Sequence, residues 1–111
     1  MEEATRIIEA DWPGTQVMAF GHLGDGNVHF NVKTAEPGPR TELMARRYEV
    51  SDQIYDIVVR YGGSISAEHG IGTSKAKTFA RLGNPAKIAA MRAVKAALDP
   101  NGIMNPGKIF V

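Results

Sequence analysis

The spacing of hydrophobic and polar residues changes several times along this chain, and each change marks an element. Residues 27–33 (NVHFNVK) alternate, with Val28, Phe30 and Val32 on one face and Asn27, His29 and Asn31 on the other. That is the period of a half-buried strand. Residues 16–22 (QVMAFGH) read as a second strand. The link between them, Leu23-Gly24-Asp25-Gly26, is short and rich in turn formers, so an antiparallel hairpin is expected. From about residue 40 to 61 the spacing turns helical. Leu43, Arg47, Val50, Ile54, Ile57, Val58 and Tyr61 repeat along one face, Arg47 by its stem, and Gly62-Gly63 ends the run. A last helix is started by Asn84 as cap and Pro85 in the first turn. Ile88, Met91, Val94 and Leu98 give it a stripe expected to be buried, and Asp99-Pro100-Asn101-Gly102 stops it.

Shorter signals fill the gaps. Residues 2–10 read as a helix end, broken by Pro13 and Gly14. Glu36-Pro37-Gly38-Pro39 reads as a loop, and Ser64-Ile65-Ser66-Ala67 as a short strand running into Glu68-His69-Gly70. Thr73 or Ser74 is expected to cap a helix reaching about Leu82, and the tail from Asn105 to Phe110 to be extended. Helix, two strands, helix, strand and helices in that order predict an α+β fold, with helices packing on one face of a small antiparallel sheet. No internal repeat or low-complexity segment interrupts it. The acidic, uncapped start points to a piece of a longer chain.

Composition narrows the class. A length of 111 residues suits one domain. Net charge of +1 with no basic run argues against nucleic acid and against an anionic membrane surface as partners. No apolar run is long enough to cross a bilayer, and no secretory signal is read at the N-terminus. The chain has no cysteine, which excludes thiolate chemistry and fits a reducing compartment. The expected location is the cytoplasm, or the membrane periphery through an electron-transfer partner. The 12 glycines cluster beside histidine and acidic residues, which draws attention to those segments.

Two segments carry the candidate chemistry. In residues 21–29 (GHLGDGNVH), His22 closes one hairpin strand and His29 lies on the polar face of the other, so both can reach one ion. Imidazole suits zinc, manganese or iron, and a carboxylate commonly completes such a set. Glu68 offers that carboxylate. The alternative is that both histidines are satisfied or exposed side chains without a ligand. Adjacent strand residues such as Glu68 and His69 point to opposite faces, so they serve one site only if the backbone bends there. Gly70 and Gly72 permit such a bend, or they merely allow close entry into the next helix. Residues 70–75 (GIGTSK) also look like an anion-binding helix start, but their glycine spacing fits neither nucleotide fingerprint. Asn105 and Lys108 read as C-terminal punctuation.

Taken together, GHLGDGNVHFNV (21–32), SAEHGIGTSK (66–75) and DPNGIMNPGKIF (99–110) resemble the C-terminal domain of FAD-linked oxidases, with D-lactate, glycolate and D-2-hydroxyglutarate dehydrogenases as the nearest types. The resemblance runs from about Val17 onward. It implies that residues 1–111 are the C-terminal part of a ferredoxin-like cap, or substrate, domain, separate from the domain that binds FAD. It also implies that His22, His29 and Glu68 hold a divalent metal, zinc or manganese, and that His69 is the general base. Asn31 is then near the substrate, and Asn105 and Lys108 near the flavin. The implied reaction oxidises a small D-2-hydroxy acid to a 2-oxo acid. His69 takes the hydroxyl proton, a task suited to imidazole, and the C2 hydride passes to the flavin. The segment alone is expected to be inactive without its FAD-binding partner domain, and to self-associate through exposed apolar surface. A stand-alone metal-binding or regulatory module without redox activity is the competing expectation.

Overall fold

The computed structural model describes residues 1–34, 42 and 44–111, and the chain divides into two compact units, Met1–Ala67 and Glu68–Val111. The first unit opens with α1 (Glu2–Asp11), followed by β1 (Thr15–His22), a single 3-10 turn at Leu23–Asp25, β2 (Asn27–Thr34) and α2 (Arg47–Arg60). Its strands pair antiparallel from Thr15↔Thr34 to His22↔Asn27. Among the described residues the sheet has these two strands and no other.

Period-2 alternation decides what covers the hairpin. Val17, Phe30 and Val32 share one face, and they pack with Trp12 and Ile54 around the buried pair Ile8 and Val50. Both helices of this unit therefore lie on one face of the sheet, as the α+β expectation requires. Ile8 is fully buried, and α1 presents it at the centre of this cluster. Polar ties flank the apolar contact. Gln53 donates to Asp11 at 3.0 Å, and the Tyr61 hydroxyl donates to Glu3 at 2.5 Å. The Tyr61 bond holds the Glu3 carboxyl below its ordinary range and, from the other side, raises the Tyr61 phenol.

The long helix differs from its expected extent. Glu42, Met44 and Ala45 are helical, but Arg46 sits in a turn, and the regular helix begins at Arg47. The expected loop at residues 36–39 and the expected helix positions 40, 41 and 43 lie outside the described residues. On the observed helix Val50 and Ile57 are buried, whereas Arg47 is exposed and Tyr61 is 73% exposed. Arg47 turns its guanidinium over the Tyr48 ring, 4.7 Å from its centroid. The glycine stop is as expected. Gly62 takes φ +73, and the Gly62 and Gly63 amides donate back to Val59 and Val58 at 2.9 Å.

Residues 64–67 form no strand. Ser64 Oγ donates to the Ser66 carbonyl at 3.1 Å and accepts from the Ser66 amide at 3.3 Å. Such local bonds offer the backbone an alternative to a ladder, which is why serine-rich stretches often leave the sheet.

The second unit holds α3 (Ala76–Leu82) and α4 (Pro85–Leu98). Neither Thr73 nor Ser74 caps α3. Its cap position is Lys75, without a side-chain bond, and the preceding turns are closed by backbone contacts. Ala76 and Phe79 are buried, and at the corner between the helices Gly83 has no room for a side chain. A Cβ there would lie 2.6 Å from the Phe79 carbonyl oxygen and 2.9 Å from Ile88 Cδ1. Asn84 caps α4 as expected, its Oδ1 accepting from the Ala86 and Lys87 amides at 2.9 and 3.1 Å. The α4 stripe is the main correction. Ile88 and Met91 are half-buried, but Val94 is 59% and Leu98 74% exposed, so helical periodicity marks an apolar face that this structure leaves largely uncovered.

Candidate functional site

The face of the hairpin turned away from α1 and α2 carries Met18, Phe20 and His22 on β1 and Asn27, His29, Asn31 and Lys33 on β2. His29 stands directly opposite Phe20, and His22 opposite Asn27, so the two histidines are diagonal neighbours on one face. Their ring centroids are 6.5 Å apart at an interplanar angle of 73°, and each offers a ring nitrogen within 4.8 Å of the other's. Zinc–imidazole bonds of about 2.0–2.1 Å allow two ligand nitrogens to lie up to about 4 Å apart, so a small side-chain rotation brings this pair onto one ion. The donor chemistry and spacing fit a divalent metal.

Local sequence explains why the hairpin ends in this way. The Asn27 side chain accepts from the His22 amide at 3.0 Å and ties the two strand ends together. Gly21 lies against that junction, where a Cβ would stand 2.1 Å from the Asn27 carbonyl oxygen and 2.8 Å from Val28 Cα. Only glycine fits so close an approach. Gly26 follows the 3-10 turn at φ +65, a conformation that costs glycine little. Asn31 lies opposite Met18 on the same face as the histidines. A cleft of about 200 Å³ lies on the helix-covered side, bordered by Phe30, Val32, Val50 and Ile54, and Asn31 also contributes to its lining.

The other candidate residues belong to the second unit. Glu68 and His69 sit in successive bends and not on a strand, and Gly70 and Gly72 adopt φ +76 and +56. The bend brings the two side chains to the same side, with His69 Nε2 4.0 Å from Glu68 Oε2. His69 is well exposed, its side chain retaining 83% of its accessible surface. The tail joins this loop through one backbone bond, from the Ile109 amide to the Gly72 carbonyl at 2.7 Å. Asn105 and Lys108 are both exposed and lie in that tail. Asn105 takes φ +48, and Lys108 Nζ is 3.5 Å from the Pro106 carbonyl.

Two residues that sequence reasoning passed over shape these segments. Asp99 is buried, and its carboxylate accepts from the Ile103 amide at 2.9 Å, the Met104 amide at 3.0 Å and the Lys95 ammonium. The lysine bond, followed by the two backbone amides, holds the Asp99 carboxyl below its ordinary range. Asp99 thus does more than stop α4: it folds the turn that leads into the tail. Phe20 is 61% exposed and stacks on His29, with centroids 5.2 Å apart and planes at 21°. The signal was present in β1, where Met18 and Phe20 put apolar side chains on the face that holds His22.

Comparison with known proteins identifies the family. The family model described as FAD linked oxidases, C-terminal domain, matches residues 2–109. The D-2-hydroxyglutarate dehydrogenase of Stutzerimonas stutzeri (strain A1501) is 42% identical over 110 residues, which cover 99% of this chain and 24% of that protein. The mitochondrial D-2-hydroxyglutarate dehydrogenase of Arabidopsis thaliana is 41% identical over 94 residues, 85% of this chain and 16% of its own length. Glycolate oxidase subunit GlcD of Escherichia coli (strain K12) is 44% identical over 89 residues, 78% of this chain and 17% of that subunit. The chain therefore spans about a quarter or less of the length of these relatives.

Proposed function

This chain belongs to the C-terminal domain family of FAD linked oxidases, and from that premise we propose that it supplies the metal- and substrate-side residues of an FAD-dependent dehydrogenase acting on a D-2-hydroxy acid. The observation that carries the metal part is the His22–His29 pair, two imidazoles on one hairpin face with ring nitrogens within 4.8 Å. Glu68 contributes the carboxylate of the set, which leaves positions for substrate. Bound there, a zinc or manganese ion supplies Lewis acidity toward the substrate's hydroxyl and carboxylate, while FAD, held mainly by a partner domain, carries the redox chemistry.

The residues of this chain then divide the remaining work. His69 accepts the substrate's hydroxyl proton, and its exposure in the Glu68–Gly72 bend leaves it accessible to a substrate. Asn31 hydrogen-bonds the substrate from the histidine face. Asn105 and Lys108 approach the flavin side, on a tail whose path is fixed by Asp99 at one end and by the Gly72 carbonyl at the other. The names of the relatives point to D-2-hydroxyglutarate or glycolate as the substrate.

Zinc or manganese titrated into the chain by calorimetry tests the reading directly. One ion is expected per chain, bound at least about tenfold more weakly after His22→Ala or His29→Ala. In the flavoprotein that contains this segment, assayed with D-2-hydroxyglutarate, D-lactate and glycolate, His69→Ala is expected to lower kcat by about 10²–10⁴-fold. Undiminished metal affinity in both histidine variants, or undiminished turnover without His69, would overturn the assignment.

A further inference from the structure

Phe20 stands on the hairpin face turned away from α1 and α2, so the core of its own unit does not explain an aromatic side chain there. It is 61% exposed, outside the cluster around Ile8 and Val50, and directly cross-strand from His29. Its ring lies nearly parallel to the imidazole, at 21° and 5.2 Å between centroids, while the His22 ring stands steeply inclined to that imidazole, at 73° and 6.5 Å. A histidine binds a metal in the plane of its ring, through a nitrogen lone pair at the edge. A stacked neighbour therefore occupies a face that coordination does not use and restricts rotation of the ring out of the plane where the ion sits. Partners that orient a ligating histidine act through its bound geometry, and their loss weakens the site without removing a ligand.

We propose that Phe20 is the positioning residue for His29, holding the imidazole plane so that its nitrogen-bearing edge faces His22 before any ion arrives. The proposal rests on the metal reading of that histidine pair and adds to it a residue that touches neither ion nor substrate. It predicts that aromaticity at position 20 matters, and that apolar bulk alone does not substitute for it. A purely structural role would require bulk and would show in thermal stability. An exposed side chain outside the core is expected to contribute little there.

The test uses zinc alone, titrated into the chain and into Phe20→Ala, Phe20→Leu and Phe20→Tyr, with His29→Ala as control. Phe20→Ala and Phe20→Leu are expected to bind about tenfold more weakly and Phe20→Tyr within about twofold of the parent, at similar melting temperatures. A second readout needs no metal. In the parent chain the His29 ring protons should show the upfield shift of a stacked aromatic neighbour, and Phe20→Leu should abolish it. Parental zinc affinity in Phe20→Leu, or no ring-current shift in the parent, overturns the positioning role and leaves the metal site standing if His29→Ala loses zinc. Parental affinity in His29→Ala itself overturns both.

Discussion

The two units hold their candidate residues by different means. In Met1–Ala67 the histidines ride on a hairpin whose register is set by apolar residues on its other face, packed around Ile8 and Val50. In Glu68–Val111 the candidate residues sit on bends and turns held by backbone bonds and by one buried carboxylate, Asp99, while much of α4 stays exposed. Apolar burial is non-directional, so it fixes a side chain only through the regularity of the element that carries it. Hydrogen bonds are directional and can fix an irregular path, but each depends on a particular group, and those to Asp99 depend on its carboxyl being charged. The first unit should therefore be sensitive to lost volume and the second to lost polar partners.

The largest effect is expected from Ile8→Ala. Removing a fully buried side chain from the centre of the first unit should cost about 2–5 kcal/mol in urea unfolding, and the His22–His29 site should weaken with it. A cost below that range would mean that the hairpin is held from elsewhere. Next comes Asp99→Asn, which keeps the shape but removes the charge. The Ile103 and Met104 amides should lose hydrogen-exchange protection while those of β1 and β2 keep theirs. The pH dependence follows from the lowered Asp99 carboxyl. Its contribution is complete above the ordinary aspartate range, about pH 4, and is lost as the solution is acidified through that value toward the lower folded one. The parent should thus lose this protection in acid, and Asp99→Asn should show no such step. The smallest effect is expected at the Asn84 cap. Asn84→Ala should lower stability by about 1 kcal/mol in urea unfolding. A parental midpoint in that variant would mean that the Ala86 and Lys87 amides find other partners.

What could be read from the sequence follows the same division. The hairpin was legible because alternation over NVHFNVK and a turn-rich link leave few other arrangements, and the observed register puts His22 and His29 on one face as those residues predict. The glycine stop of α2 and the asparagine cap of α4 were legible for the same local reason. The strand expected at 64–67 failed because Ser64 and Ser66 satisfy each other, a competition that residue preferences for strands do not weigh. The α4 stripe misled because periodicity shows which face is apolar and not what covers it. Asp99 was read as punctuation, since a buried carboxylate cannot be told from an exposed one until the amides that surround it are in place. The role of Glu68 and His69 depended on a bend, and glycine at 70 and 72 shows only that a bend is permitted.

Gly21 has a consequence beyond its own position. With a carbonyl oxygen where a methyl group would have to go, the strand end accepts a single residue type. A side chain at position 21 would push the two strand ends apart and carry His22 away from the strand that bears His29. The histidine pair thus depends on a residue that has no side chain to offer it.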